Sequence, residues 1–285
     1  MGASMKDIKD RIKSVEGTMQ ITKAMELVSS SKLRKAKERA ENARPFFNVL
    51  YETISELASE MNEGDSIYTV HDASRKPLYV VIAGDRGLAG GYNSNIFKLV
   101  DKKIKNDNAF VISIGKKSVE HYEKLNCNVL GKYPDIAEGP DESAVFEISE
   151  TINSFFKEGK VGSVYLVFTQ FVTALSQTAS ELQILPLDLQ KQERDPKKLR
   201  EEVLYEPSAK AVFDSIIPQY IAGMVYGGVV ESYASEQGAR RTAMESASKN
   251  AKEMIDTLSL SYNRARQSAI TQELTEIVAG ANATV

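Results

Sequence analysis

From Ile8 onward the chain carries a seam that steps by alternate fours and threes. It runs through Ile8, Ile12, Val15, Met19, Thr22, Glu26, Ser29, Leu33, Ala36, Ala40, Ala43, Phe47, Leu50, Ile54, Leu57 and Met61. A mean step of about 3.5 residues is the coiled-coil period and predicts a left-handed supercoil. Thr22, Glu26 and Ser29 interrupt the apolar run, so the middle of this helix is expected to meet something other than one partner helix. Gly17 costs about 1 kcal/mol in a helix interior, and Pro45 removes a backbone donor and bends the helix locally. A helix of this length tolerates both.

The pattern changes after a polar loop between Asn62 and Lys76. Pro77–Ala83 is an apolar run of strand length, followed by the glycine-rich Gly84-Asp85-Arg86-Gly87-Leu88-Ala89-Gly90-Gly91 and a helical stretch, Ser94–Lys105. Strands Phe110–Ile114, Ser163–Phe171 and Glu181–Leu189 alternate with helices Lys116–Leu125 and Glu142–Glu158. Such alternation predicts βαβ units and a mostly parallel sheet, a Rossmann-like α/β domain. Pro186 puts the last strand at an edge.

A charged linker, Gln190–Glu202, leads into Ser208–Val285, which has no proline after Pro218 and reads as a single helix on the order of 100 Å long. Met244, Ala247, Ala251, Met254, Leu258 and Ala265 keep the same three/four step as the first seam. The predicted architecture is therefore a long antiparallel coiled coil of N-terminal (1–61) and C-terminal (208–285) helices with an α/β domain (77–190) inserted between them. Paired from the domain outward, the second helix outruns the first by about 20 residues, or about 30 Å.

Composition narrows the chemistry. A net charge of -3 over 285 residues gives no global attraction to nucleic acid or anionic membrane. Lys32, Arg34, Lys35, Lys37 and Arg39 form a local basic run, but no base-stacking aromatics are interleaved with it. It reads as a solvated face or as a ring of cations facing an acidic partner. Cys127 is the only cysteine, which excludes an internal disulfide and fits a reducing compartment. No stretch reaches the ~18 apolar residues of a membrane span, so direct membrane insertion is not expected.

Candidate catalytic groups are few. His71 and His121 are the only histidines, and neither lies in a metal-binding or nucleophile motif. The glycine-rich loop follows a strand and precedes a helix, the right context for a phosphate cradle. Its spacing, however, matches neither the dinucleotide fingerprint nor the P-loop, which favours tight-turn and contact roles. Asp85 and Arg86 are expected to form a local ion pair. The glycines of the last helix, Gly223, Gly227, Gly228 and Gly238, are expected at close packing against the sheet or the partner helix. No cofactor and no metal site is expected.

Three motifs carry a resemblance to a known family. Ile21-Thr22-Lys23-Ala24-Met25-Glu26-Leu27-Val28, the Gly84–Gly91 loop with Tyr92-Asn93, and Ile270-Thr271-Gln272-Glu273-Leu274-Thr275-Glu276 with Gly280-Ala281 resemble the gamma-subunit family of F-type ATP synthases. The likeness covers essentially the whole chain, including Leu204-Tyr205-Glu206-Pro207 and Ser235-Glu236-Gln237. The chain departs from the family's common pattern at Ala89, where cysteine is usual, so thiol chemistry is not part of the function there. It also lacks the cysteine-bearing segment of the chloroplast form, which points to a bacterial protein.

The resemblance implies a non-catalytic rotor stalk, one copy per complex, inside a hexamer of alpha and beta subunits whose catalytic sites lie on beta. Rotation of the membrane ring of c subunits would force conformational change at those sites and so drive ATP synthesis. It further implies that Lys23, Met25, Lys32, Arg34 and Lys35 face acidic levers of beta, and that Arg266, Gln267, Thr271 and Glu273 meet the beta loops gripping the shaft. Ile270, Leu274, Ile277 and Val278 would form a bearing tip in an apolar sleeve. Tyr205 and Glu206 would lie at the foot, near the ring and the epsilon subunit, with the protein peripheral on the cytoplasmic face of the cell membrane. The rival class from residues alone is a nucleotide-binding α/β enzyme dimerised by its coiled coil.

Overall fold

The computed structural model describes residues 5–59, 65–173, 176–187 and 205–283. The linker Gln190–Glu202, Leu204, the seam residue Met61 and the side chains of Ala43 and Phe47 lie outside what is described. The chain runs α1 (Met5–Ser59), a short 3-10 turn (Ile67–Thr69), β1 (Lys76–Ile82), α2 (Tyr92–Asn106), β2 (Phe110–Ile114), α3 (Lys116–Lys124), β3 (Asn128–Tyr133), α4 (Glu142–Lys157), β4 (Val161–Phe171), β5 (Gln177–Leu185) and α5 (Ala209–Ala283).

The five strands lie in the order β3-β2-β1-β4-β5, with β5 at an edge as Pro186 requires. β1, β2, β3 and β4 are parallel to their neighbours, and β5 runs antiparallel to β4. β3 was not expected from the sequence. It is a half-buried strand interrupted by Gly131, so it shows neither an unbroken apolar run nor a clean alternation.

Strand alternation sends the two halves of β1 to opposite faces. Leu78, Val80 and Ile82 join a core with Ile148 and Ile152 of α4, Phe213, Ile217 and Val225 of α5, and Ile54 and Leu57 of α1. Tyr79 and Val81 face a second core made with Ile96, Val100 and Ile104 of α2 and Tyr122 of α3. The spacing of four residues between the α2 members is one helical stripe. At Gly115, between β2 and α3, φ is +86° and a Cβ would lie 2.0 Å from the carbonyl oxygen of Ala83. Only glycine fits there.

The chain forms two compact units, a shaft made of Met1–Ser29 with Arg240–Val285 and a body made of Ser30–Ala239. Within the shaft, the hydroxyls of Thr22 and Ser248 are 2.7 Å apart. Thr22 spends its proton on the carbonyl of Met19 at 3.0 Å, so Ser248 is the donor across the pair. The expectation that the polar middle of this seam meets something other than one partner helix is corrected at Thr22, whose hydroxyl meets a hydroxyl of the partner helix. Within the body, Leu33 and Ala36 of α1 pack with Ala234 of α5. As the α1 number falls the α5 number rises, the signature of an antiparallel pair.

Candidate functional site

β1 has β2 on one side and β4 on the other, so the carboxyl ends of β1 and β4 flank the point where an open α/β sheet ordinarily receives a ligand. Here α5 fills that crevice. Gly228 lets the helix lie on the sheet, for a Cβ would come 2.9 Å from Leu166 Cδ2 and 3.0 Å from Ile82 Cδ1. Ser232 Oγ accepts from the backbone N–H of Thr169 at 3.1 Å, and Ser235 Oγ donates to the Thr169 carbonyl at 2.9 Å. Glu231 accepts from the N–H of Phe171 at 3.2 Å. The buried carboxylate of Glu236 lies so close to Gly84 that a Cβ there would be 2.8 Å from its Oε1.

The glycine-rich loop is closed by the chain's own side chains. Asn93 Oδ1 accepts from the N–H of Gly84 at 2.9 Å. Asp85 Oδ1 accepts from the N–H groups of Lys116, at 2.8 Å, and Asp135, at 2.9 Å. Lys116 opens α3, so a carboxylate occupies the helix N-terminus that would otherwise attract a phosphate. The expected Asp85–Arg86 ion pair is not formed, because Asp85 is drawn inward to these backbone donors. Arg86 Nε instead donates to Glu138 Oε1 at 3.0 Å. The space left beyond Gly91, Asn95 and Thr169 is about 90 Å³. Pockets for drug-sized ligands need about 300 Å³ or more.

The titratable groups outside this crevice have structural partners. His121 Nε2 lies 3.0 Å from Asp101 Oδ2, and its ring stacks on Phe97 with centroids 3.8 Å apart. Burial, and then the charge of Asp101, pushes the Cys127 thiol up, away from the reactive thiolate. Among the described residues no three His, Cys, Asp or Glu side chains are grouped to hold a metal ion, and no helix is long and apolar enough to cross a membrane.

The residues expected to meet partners fall into three sets. On α1, Lys23 pairs with Glu26 at 3.1 Å, Met25 is half-buried, and Arg34 and Lys35 are exposed. Lys32 is turned into the body, donating to Glu138 Oε2 at 3.1 Å, and Lys37 lies over the Phe171 ring at 4.8 Å. Of the pair expected at the foot, Tyr205 packs against the core while Glu206 is exposed.

Thr22 is seventeen positions past Met5 on α1, and seventeen past Ser248 on α5 is Ala265, so beyond that point no described residue of α1 lies opposite α5. There Arg266, Gln267, Thr271 and Glu273 are exposed. Ile270, Leu274, Ile277 and Val278 are 49%, 58%, 67% and 59% exposed. The Thr271 hydroxyl donates to its own helix, at the Gln267 carbonyl 2.9 Å away. Sequence reasoning missed Glu138, Thr169 and Ser232. The Ser-x-x-Ser spacing of Ser232 and Ser235, one helix turn amid apolar residues, was the available signal for two hydroxyls on a buried face.

Comparison with known proteins agrees with this architecture. A family model described as ATP synthase matches residues 4–284. The chain is 48% identical to the ATP synthase gamma chain of Ruminococcus albus over 96% of both chains. It is 42% identical to the sodium ion specific ATP synthase gamma chain of Acetobacterium woodii over 99% of both. Its fold superposes on a chain of the Euglena gracilis mitochondrial ATP synthase, solved as OSCP, F1 and c-ring, with a TM-score of 0.70 at 19% identity, covering 98% of this chain and 94% of that one. A chain of the Tetrahymena thermophila central stalk and c-ring matches with a TM-score of 0.62 at 24% identity over 80% of this chain and 99% of that one. Relatives this similar over nearly the full length, with the same two long helices around an α/β body, show that the chain belongs to the gamma-chain family of F-type ATP synthases.

Proposed function

We propose that this chain is the central shaft of a rotary ATP synthase, coupling ion-driven rotation of a membrane ring of c subunits to conformational change at catalytic beta subunits. It carries no catalytic site of its own. One copy stands inside an alpha–beta hexamer, with its foot at the ring and the epsilon subunit, peripheral to the cytoplasmic face of the membrane. The observation that carries this reading is the α5 overhang, a single helix with exposed Ile270, Leu274, Ile277 and Val278 and, among the described residues, no partner helix opposite. Burying an apolar side chain of this size fully is worth about 1.5–3 kcal/mol, so an apolar sleeve around the tip holds it without fixing an angle. Arg266, Gln267 and Glu273, on the band below, supply directional bonds to the surrounding loops. A shaft of this kind biases each partner between discrete states.

Two measurements test the proposal. The chain should co-purify with an alpha–beta hexamer from membranes, and isolation without one would count against the shaft. Within assembled complexes, Arg266→Ala with Gln267→Ala should lower ATPase turnover about tenfold, since a charged hydrogen bond is worth about 1.5–3 kcal/mol. Truncation after Ala279 should cost less. Equal or greater loss on truncation would overturn this division between grip and bearing.

A further inference from the structure

The chain passes between shaft and body twice, along α1 between Ser29 and Ser30 and along α5 between Ala239 and Arg240. Torque carried along the chain crosses at those two places. On the body side, α5 is fastened by buried directional bonds from Ser232 and Ser235 to Thr169 and by close packing at Gly228. α1 is held differently. Leu33 and Ala36 pack on Ala234 through apolar contact, which is non-directional and resists separation more than rolling.

A directional contact of α1 near its crossing is Lys32 with Glu138. Glu138 lies between β3 and α4, three residues after Asp135, whose N–H is bound by Asp85 at the end of β1. Its second oxygen holds Arg86 of the glycine-rich loop at 3.0 Å. Seven residues along the same face of α1, the Arg39 guanidinium comes to 3.4 Å from the Cβ position of Gly139. The phenol of Tyr233 on α5, pushed up chiefly by burial, is also pulled down by the Lys32 ammonium and raised by the Glu138 carboxylate.

We infer that Glu138 is a clasp that fixes α1 in rotation against the body, its one carboxylate tying Lys32 of α1 to Arg86 of the glycine-rich loop, so that torque crosses along both helices and not along α5 alone. Glu138 is thereby a positioning residue for coupling, and the inference rests on the shaft reading above. With 28% of its side chain exposed, the clasp is open to screening and weakens as salt rises.

The test uses whole ATP synthase in inverted membrane vesicles, reading ATP-driven membrane potential with a dye per ATP hydrolysed. Glu138→Gln keeps the shape and removes the charge, and should lower that ratio about twofold while hydrolysis continues. Raising ionic strength should bring the wild-type ratio toward that of the variant and leave the variant unmoved. Lys32→Gln combined with Glu138→Gln should do no more than Glu138→Gln alone, because both remove one interaction. A wild-type ratio in Glu138→Gln, or additive losses in the double variant, would overturn the clasp. Should Glu138→Gln complexes fail to assemble, Lys32→Gln and Arg86→Gln decide it, and an undiminished ratio in both overturns it. Wild-type complexes that hydrolyse ATP yet build no potential would instead sink the shaft reading.

Discussion

Tyr68 donates to Asn153 Oδ1 at 2.6 Å from a fully buried position. Burial, reinforced by the charge of Asp214, pushes its phenol up to about 12. Because the folded chain holds this proton more tightly than the unfolded chain, the associated stability is complete below the ordinary tyrosine value of about 10 and is lost as pH climbs from there toward 12. Urea unfolding followed between those limits should therefore show falling stability, and Tyr68→Phe should flatten part of that slope while costing about 1 kcal/mol at neutral pH. An unchanged slope would mean that other tyrosines, such as Tyr79 and Tyr122, also raised by burial, govern the alkaline limb. At this scale the sequence misleads where neighbours in the chain are not neighbours in space. Asp85 and Arg86 are adjacent and opposite in charge, yet one turns inward to backbone donors and the other outward to Glu138. No local pattern encodes partners 31, 50 and 52 residues away.

Elements were more legible than contacts, for a physical reason. Periods of two and of 3.5 are written in which residues are apolar, and β1, β2, α4 and both long helices follow them within a few residues. β3 escaped because a half-buried strand broken by Gly131 carries little period to read. The polar positions of the α1 seam misled for a related reason: a hydroxyl pair across two helices leaves an apolar gap in each sequence that looks like an exit from the interface. The Thr22–Ser248 pair makes this quantitative. Removing one hydroxyl, by Thr22→Val or Ser248→Ala, deletes the bond between them while Ser248 is half-buried and Thr22 keeps the Met19 carbonyl, so each change should cost about 0.5–1.5 kcal/mol, and removing both should cost less than the sum. Denaturant titration of the four chains measures that coupling, and strict additivity would show that the two hydroxyls do not act together.

For the whole molecule, the α5 overhang was readable from the seam lengths alone, whereas the filling of the ligand crevice was readable only in part: close packing at Gly228 was expected and is found, but Ser232 and Ser235 lie far along the chain from the strand they bond. Calorimetry of the purified chain should register no ATP binding. Micromolar affinity abolished by substitution at Gly87 would contradict both the occupied crevice and the self-capped loop. A doubly wound sheet whose seat is taken by its own helix has a consequence for the machine it serves. Most proteins of this topology change shape or stability when a nucleotide arrives, and so report on how much is present. A rotor built on the same sheet with the seat filled should be deaf to that signal, keeping one stiffness whether nucleotide is scarce or plentiful.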